Sequence, residues 1–146
     1  MIEFDNQTTL PIDTDSLELI AQSLTTQNVE LILTDDATMQ HLNREHRGKD
    51  QTTDVLSFPL DTPFIQESSF HLPLGSIVIA DSFLKENGEK FGHSIQDEFS
   101  LLFIHGMLHL LGFDHETDDG EMRQREKELI EQFDLPKSLI IRTQEE

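Results

Sequence analysis

Between Phe99 and Leu111 the chain carries, apart from one glycine and two histidines, a single polar residue, Ser100. So apolar a segment reads as a helix buried on nearly all sides, around which the other elements must pack. Its two histidines, His105 and His109, are four positions apart, which on a helix leaves them ~40° apart around the axis and ~6 Å apart along it. Both imidazoles then reach one metal ion at the usual Zn–N distance of ~2.0–2.1 Å. Gly112 suits a left-handed C-terminal cap, after which the chain turns back and His115 can join the same ion. Three neutral nitrogens leave a fourth position for water, the arrangement of catalytic rather than structural zinc. The alternative is a pair of ordinary core or helix-surface histidines. Burying two imidazoles among Leu101, Leu102, Ile104, Leu108 and Leu111 without partners costs free energy, and the third histidine after a capping glycine weighs further against it.

The other four histidines serve as a control. His41 and His46 are five apart in an expected helix, diverge by ~140°, and cannot share an ion as a helical pair. His71 falls in an expected loop and His93 just before a helix, and all four are expected to be solvated surface residues.

The length of 146 residues suits one domain, with no internal repeat or low-complexity linker. The N-terminus, Met1-Ile2-Glu3-Phe4-Asp5, lacks the basic and apolar regions of a signal peptide, and no run of ~18 apolar residues offers a membrane span. The absence of cysteine excludes disulfides and thiolate ligands and fits the cytoplasm. A formal charge of −19 argues against non-specific coating of nucleic acid, because phosphate binding relies on lysine and arginine. It leaves room for a focused site, since Arg44, Arg47 and Lys49 fall within six positions and a bound dication would add to their field.

Hydrophobic periodicity predicts a short strand at 2–4, then a helix opened by a capping box of Asp15 and Glu18 with Leu17, Ile20, Ala21 and Leu24 as its stripe. Val29, Leu31 and Leu33 alternate as in a strand, although Ile32 breaks the pattern. A helix through Met39 and Leu42 opens near Asp35 or Asp36 and ends before Gly48. Residues 54–58 read as a strand stopped by Pro59, followed by a long loop to Pro73 of the kind that borders functional sites. Residues 74–80 form a buried strand, and Asp81 caps a helix ending near Gly88 to Gly92. Ser94 with Asp97 opens the histidine helix, and Asp118 with Glu121 opens a last helix carrying Met122, Leu129 and Ile130. Helical crossovers favour parallel pairing of the early strands, whereas strands 54–58 and 74–80 pair antiparallel. The expected fold class is α+β, a mixed four-stranded sheet covered by helices, with the central helix carrying two of three ligand histidines.

The spacing H-x-x-x-H-x-x-G-x-x-H resembles the metzincin peptidases, whose general base is a glutamate directly after the first histidine. Here that position is Gly106, so the peptidase proton acceptor is missing. Glu98, seven residues before His105 and ~10 Å away along the axis, reads as a first-turn helix residue rather than the base. Asp114 could orient a ligand histidine or cap the turn.

Taken together, His105-Gly106-Met107-Leu108-His109-Leu110-Leu111-Gly112-Phe113-Asp114-His115, the upstream Arg47-Gly48-Lys49-Asp50 and Thr53-Asp54-Val55-Leu56-Ser57-Phe58-Pro59, and Leu74-Gly75-Ser76-Ile77-Val78-Ile79 resemble the YbeY family of bacterial endoribonucleases associated with ribosomal RNA maturation. The resemblance runs from about Leu31 to the last helix. It implies a zincin-like α+β fold, a single YbeY-like metallohydrolase domain over 1–146, one zinc on His105, His109 and His115, and a catalytic arginine matching Arg47. It further implies ribosomal RNA precursors as substrate, with a ribosomal subunit or ribosomal proteins as partners and a role in ribosome quality control. One position departs: the family usually has aspartate after the strand glycine, and this chain has Ser76, which can hydrogen-bond but supplies no charge.

The chemistry fits a phosphodiester, whose non-bridging oxygens gain negative charge on attack that a dication and a guanidinium stabilise. Arg47 would clamp the phosphate, with Lys49 as a weaker electrostatic, substrate-binding helper. Two other readings remain open at this stage. One is a non-catalytic ribosome-assembly factor with a structural metal, and the other a metal-dependent hydrolase of another substrate, including peptide.

Overall fold

Parallel pairing of the first two strands follows from the helix that carries the chain back between them. In the computed structural model, which describes residues 2–59, 73–114, 116–137 and 139, the order is β1 (Ile2–Asn6), α1 (Asp15–Leu24), β2 (Val29–Thr34), α2 (Asp36–Arg47), β3 (Val55–Pro59), β4 (Gly75–Ala80), α3 (Asp81–Phe91), α4 (Ile95–Leu110) and α5 (Glu121–Gln132). The sheet order is β1-β2-β4-β3, with β1 parallel to β2, β2 parallel to β4, and β3 antiparallel to β4 at the edge. This is the mixed four-stranded α+β arrangement expected from the periodicity. The loop expected between Pro59 and Pro73 falls almost wholly outside the described residues, and His71 with it.

The sheet is covered on both faces. Leu31, Leu33, Ile77 and Ile79 pack with α1, α4 and α5 in the main core, whereas Met39 of α2 closes a smaller cluster over Leu56, Val78 and Ala80. Ile32 joins that second cluster, which is why it breaks the alternation: a strand between two parallel neighbours is apolar on both sides. The central helix α4 is buried along most of its length, including Phe99, Phe103, Met107 and Leu108.

Gly106 sets how closely α4 approaches the sheet. A Cβ at that position would stand 2.8 Å from Cγ2 of Ile77 and 3.1 Å from its Cγ1 and Cδ1. The Oγ of Ser57, which pairs with Ile77 across β3 and β4, donates to the Gly106 carbonyl at 3.3 Å.

Several caps form as expected. Asp35 accepts from the Thr38 N–H at 2.8 Å, a bond that lowers its carboxyl below the ordinary value of 3.8, and Ser94 accepts from the Asp97 N–H. The box expected of Asp118 and Glu121 is replaced by a looser arrangement: the N-cap of α5 is Gly120, Asp118 accepts from the Gly120 and Met122 N–H groups, and Glu121 accepts from the Asp119 N–H. Two further expected caps do not form. The N-cap of α1 is Thr14 without a side-chain bond, and Glu18 instead accepts from the Ile2 N–H at 2.7 Å, tying the start of β1 to α1. The N-cap of α3 is Ala80 rather than Asp81, because β4 runs directly into the helix and leaves no residue between them to act as a side-chain cap.

Candidate metal centre

Gly112 ends α4 as its sequence context requires. It adopts φ +100°, its N–H donates to the His109 carbonyl at 3.0 Å, and the Phe113 N–H donates to the Leu108 carbonyl at 2.9 Å. This paired closure satisfies the last helical carbonyls and reverses the chain beside the histidines. Asp114 caps that turn by accepting from the Glu116 N–H at 3.0 Å. His115 lies outside the described residues.

The reversal brings the Phe113 carbonyl 3.1 Å from Nδ1 of His109. A carbonyl only accepts, so Nδ1 carries the proton and the neutral ring presents a lone pair at Nε2. His105 is held in the same sense by a different group, with its Nδ1 2.8 Å from Oε1 of Glu126 on α5. The two Nε2 atoms converge to 3.1 Å with the rings at 78° to one another. Lone pairs aimed at one point are what a cation satisfies. Their separation is close to the ~3.3 Å spanned by two nitrogens each ~2.0–2.1 Å from a tetrahedral ion. The donor set therefore fits zinc, although among the described residues no group of three or more such ligands is assembled.

The histidines open into a cleft of about 560 Å³ whose walls include Arg47, residues 53–57 and Pro59, together with Gly112, Phe113, Asp114 and Glu116 from the turn after α4. Arg47 comes from the last turn of α2, which Gly48 ends at φ +69°. Its Nη2 donates to the Ser57 carbonyl at 3.1 Å, which places the guanidinium against the edge strand. Among the described lining residues it is the one lysine or arginine. The following loop is anchored by buried Asn43, whose Nδ2 donates to the Gln51 carbonyl at 2.8 Å. Lys49 is exposed and does not line the cleft.

A family model described as Endoribonuclease YbeY matches residues 3–134. The chain belongs to the YbeY family. Proteins named Endoribonuclease YbeY from Sulfurovum sp. (strain NBC37-1) and Helicobacter pylori (strain J99) are 62% identical over 142 residues and 57% identical over 146, covering 97% and 99% of each pair of chains. The solution structure of TM1509 from Thermotoga maritima is similar with a TM-score of 0.59 at 28% identity, covering 91% of this chain and 89% of that one. The YbeY-like expectation for the fold is thereby met.

Sequence reasoning missed Glu126. It recurs with Met122, Leu129 and Ile130 at helical spacing, so a carboxylate lay on the buried stripe of α5, and that was the available signal. His93 also differs from expectation. Its side chain is 1% exposed, not solvated, and its Nε2 lies 2.6 Å from Oε1 of buried Glu98. The pair spans the α3–α4 connection, so neither residue announces the other in sequence. Glu98 is thus engaged at the far end of α4 from the cleft. His41 and His46 are exposed as expected, with His46 packed on Phe58 at 4.9 Å. Ser76 pairs across the sheet with Glu30 and donates to its Oε1 at 2.8 Å, on the face opposite α4. It therefore takes no part in the histidine cleft. Among the described residues, no helix is long and apolar enough to cross a membrane.

Proposed function

We propose that residues 1–146 form a single YbeY-like metallohydrolase domain. It acts as a zinc-dependent, single-strand-specific endoribonuclease in ribosomal RNA maturation and ribosome quality control in the cytoplasm. The observation that carries the reading is the convergence of the His105 and His109 Nε2 atoms at 3.1 Å in the cleft that Arg47 lines. His105, His109 and His115 would hold one zinc ion. When bound, zinc supplies Lewis acidity toward a phosphoryl oxygen and acidifies water.

The chain's own residues account for the rest. Arg47 uses one donor on Ser57, and the remainder of its planar fork suits the non-bridging oxygens of a phosphodiester. Fixed in that position, it stabilises charge that grows during attack. Exposed Lys49 adds long-range attraction for the RNA strand in a chain that is otherwise strongly acidic. Ser57 holds the two sides together, accepting from Arg47 through its carbonyl and donating to Gly106 through its hydroxyl.

A peptidase reading is disfavoured by Gly106. The position where metzincins carry their glutamate is pressed against Ile77, so a side chain there requires Ile77 or α4 to shift. Ribosomal RNA precursors are the substrate proposed, and a ribosomal subunit or its proteins the partners. The test is cleavage of matched single-stranded and duplex RNA by purified protein. Zinc-dependent cutting of the single strand alone supports the reading, and cutting that persists unchanged in both Arg47→Glu and His109→Ala would point to a contaminating nuclease or a non-catalytic role.

A further inference from the structure

Glu126 is 2% exposed and lies on the face of α5 that packs against α4. A buried carboxylate is costly unless hydrogen-bonded, and an apolar side chain there would complete the helix contact at lower cost. Its observed partner is Nδ1 of His105, at 2.8 Å. The two candidate ligands are thus held by different means. His109 is fixed by the Phe113 carbonyl, which every substitution at 113 retains, and His105 by a side chain from another helix.

We infer that Glu126 is a positioning residue for this centre: it holds His105 as the Nδ1–H tautomer with its ring fixed, so that Nε2 faces that of His109. The inference rests on the zinc reading above for its consequence and on the hydrogen bond for its geometry. A carboxylate partner also makes the opposite ring nitrogen a better donor to a metal ion. Because Glu126 belongs to α5 and His105 to α4, the contact links the docking of the last helix to the shape of the centre.

The experiment compares wild type, Glu126→Leu and Glu126→Gln by two readouts. Zinc affinity is measured by competition with a chromophoric chelator, and the His105 tautomer by ¹⁵N shifts of the ring in metal-free protein. Glu126→Leu fills the space without an acceptor and should bind zinc ~10–100-fold more weakly, whereas Glu126→Gln, which keeps an acceptor oxygen, should lose less. The metal-free wild type should show His105 protonated at Nδ1, and Glu126→Leu a population shifted toward Nε2–H. A folded Glu126→Leu with wild-type zinc affinity and an unchanged tautomer overturns the inference. Should that variant not fold, Glu126→Gln decides by the same two readouts, a weaker affinity supporting the inference and both readouts unchanged overturning it. If wild type takes up no zinc, the zinc reading fails, and the ring shifts alone then decide the role of Glu126.

Discussion

Arg47 is held on the edge strand by Ser57, whose backbone oxygen accepts from Nη2 at 3.1 Å while its hydroxyl reaches the α4 backbone beside His105. This places a planar cation in the wall of the cleft that the two imidazoles also line. Arg47→Lys keeps the charge but loses the fork. Loss of an aligned donor to a transition state costs ~10²–10³ in rate. Arg47→Lys and Arg47→Glu are therefore expected to lose most RNA cleavage at a near wild-type melting temperature and zinc content. Lys49→Ala should chiefly shift the salt dependence of RNA binding.

Gly106 makes a purely structural prediction. Its absent Cβ would meet three side-chain atoms of Ile77 at 2.8–3.1 Å, so Ile77 or α4 must shift to admit it. Gly106→Ala should destabilise the fold by ~1–3 kcal/mol through overpacking. Adding Ile77→Ala removes the clashing atoms, so the double variant should cost less than the sum of the two single variants in urea unfolding. Strict additivity would mean that α4 does not press on β4 at this point.

How much of this was legible in the sequence depends on whether a residue's role is local. The apolar run of α4, the i, i+4 histidines and the Gly112 closure are set within one turn or one helix face, and each appears as expected. The antiparallel edge strand followed from β3 and β4 being joined without a predicted helix, and the parallel β1 and β2 from their crossover, whereas β4 runs parallel to β2 because β3 carries the chain back. What escaped was contact between residues that share no helix or strand. Glu126 meets His105 from 21 residues away, and His93 is buried by folding back on Glu98. Glu18 serves β1 rather than its own helix for the same reason, since a carboxylate in a first turn can satisfy any N–H that tertiary packing delivers.

Asp35 offers a test of a local cap by pH. Its carboxyl is lowered because the charged form accepts the Thr38 N–H. A folded-state value below the unfolded one means that the stabilisation is complete above the ordinary value of 3.8 and is lost as pH falls through the lower folded value. Wild type should exceed Asp35→Ala in stability at neutral pH, and the gap should narrow only below about pH 4. Chemical unfolding across that range checks it. A gap that widens in acid would reverse the sign and remove the cap explanation.

Zinc titration of cleavage tests the central claim most directly. Protein stripped of metal by a chelator and dialysed is titrated with zinc while cutting of a defined single-stranded ribosomal RNA precursor fragment is followed. If His105, His109 and His115 hold one zinc with an open position, as proposed, activity should rise to a break at about one zinc per chain. His109→Ala, folded but lacking a ligand, should show no such rise at the same concentrations. Full cleavage by stripped wild type, or an identical titration for His109→Ala, would contradict a catalytic zinc on these histidines.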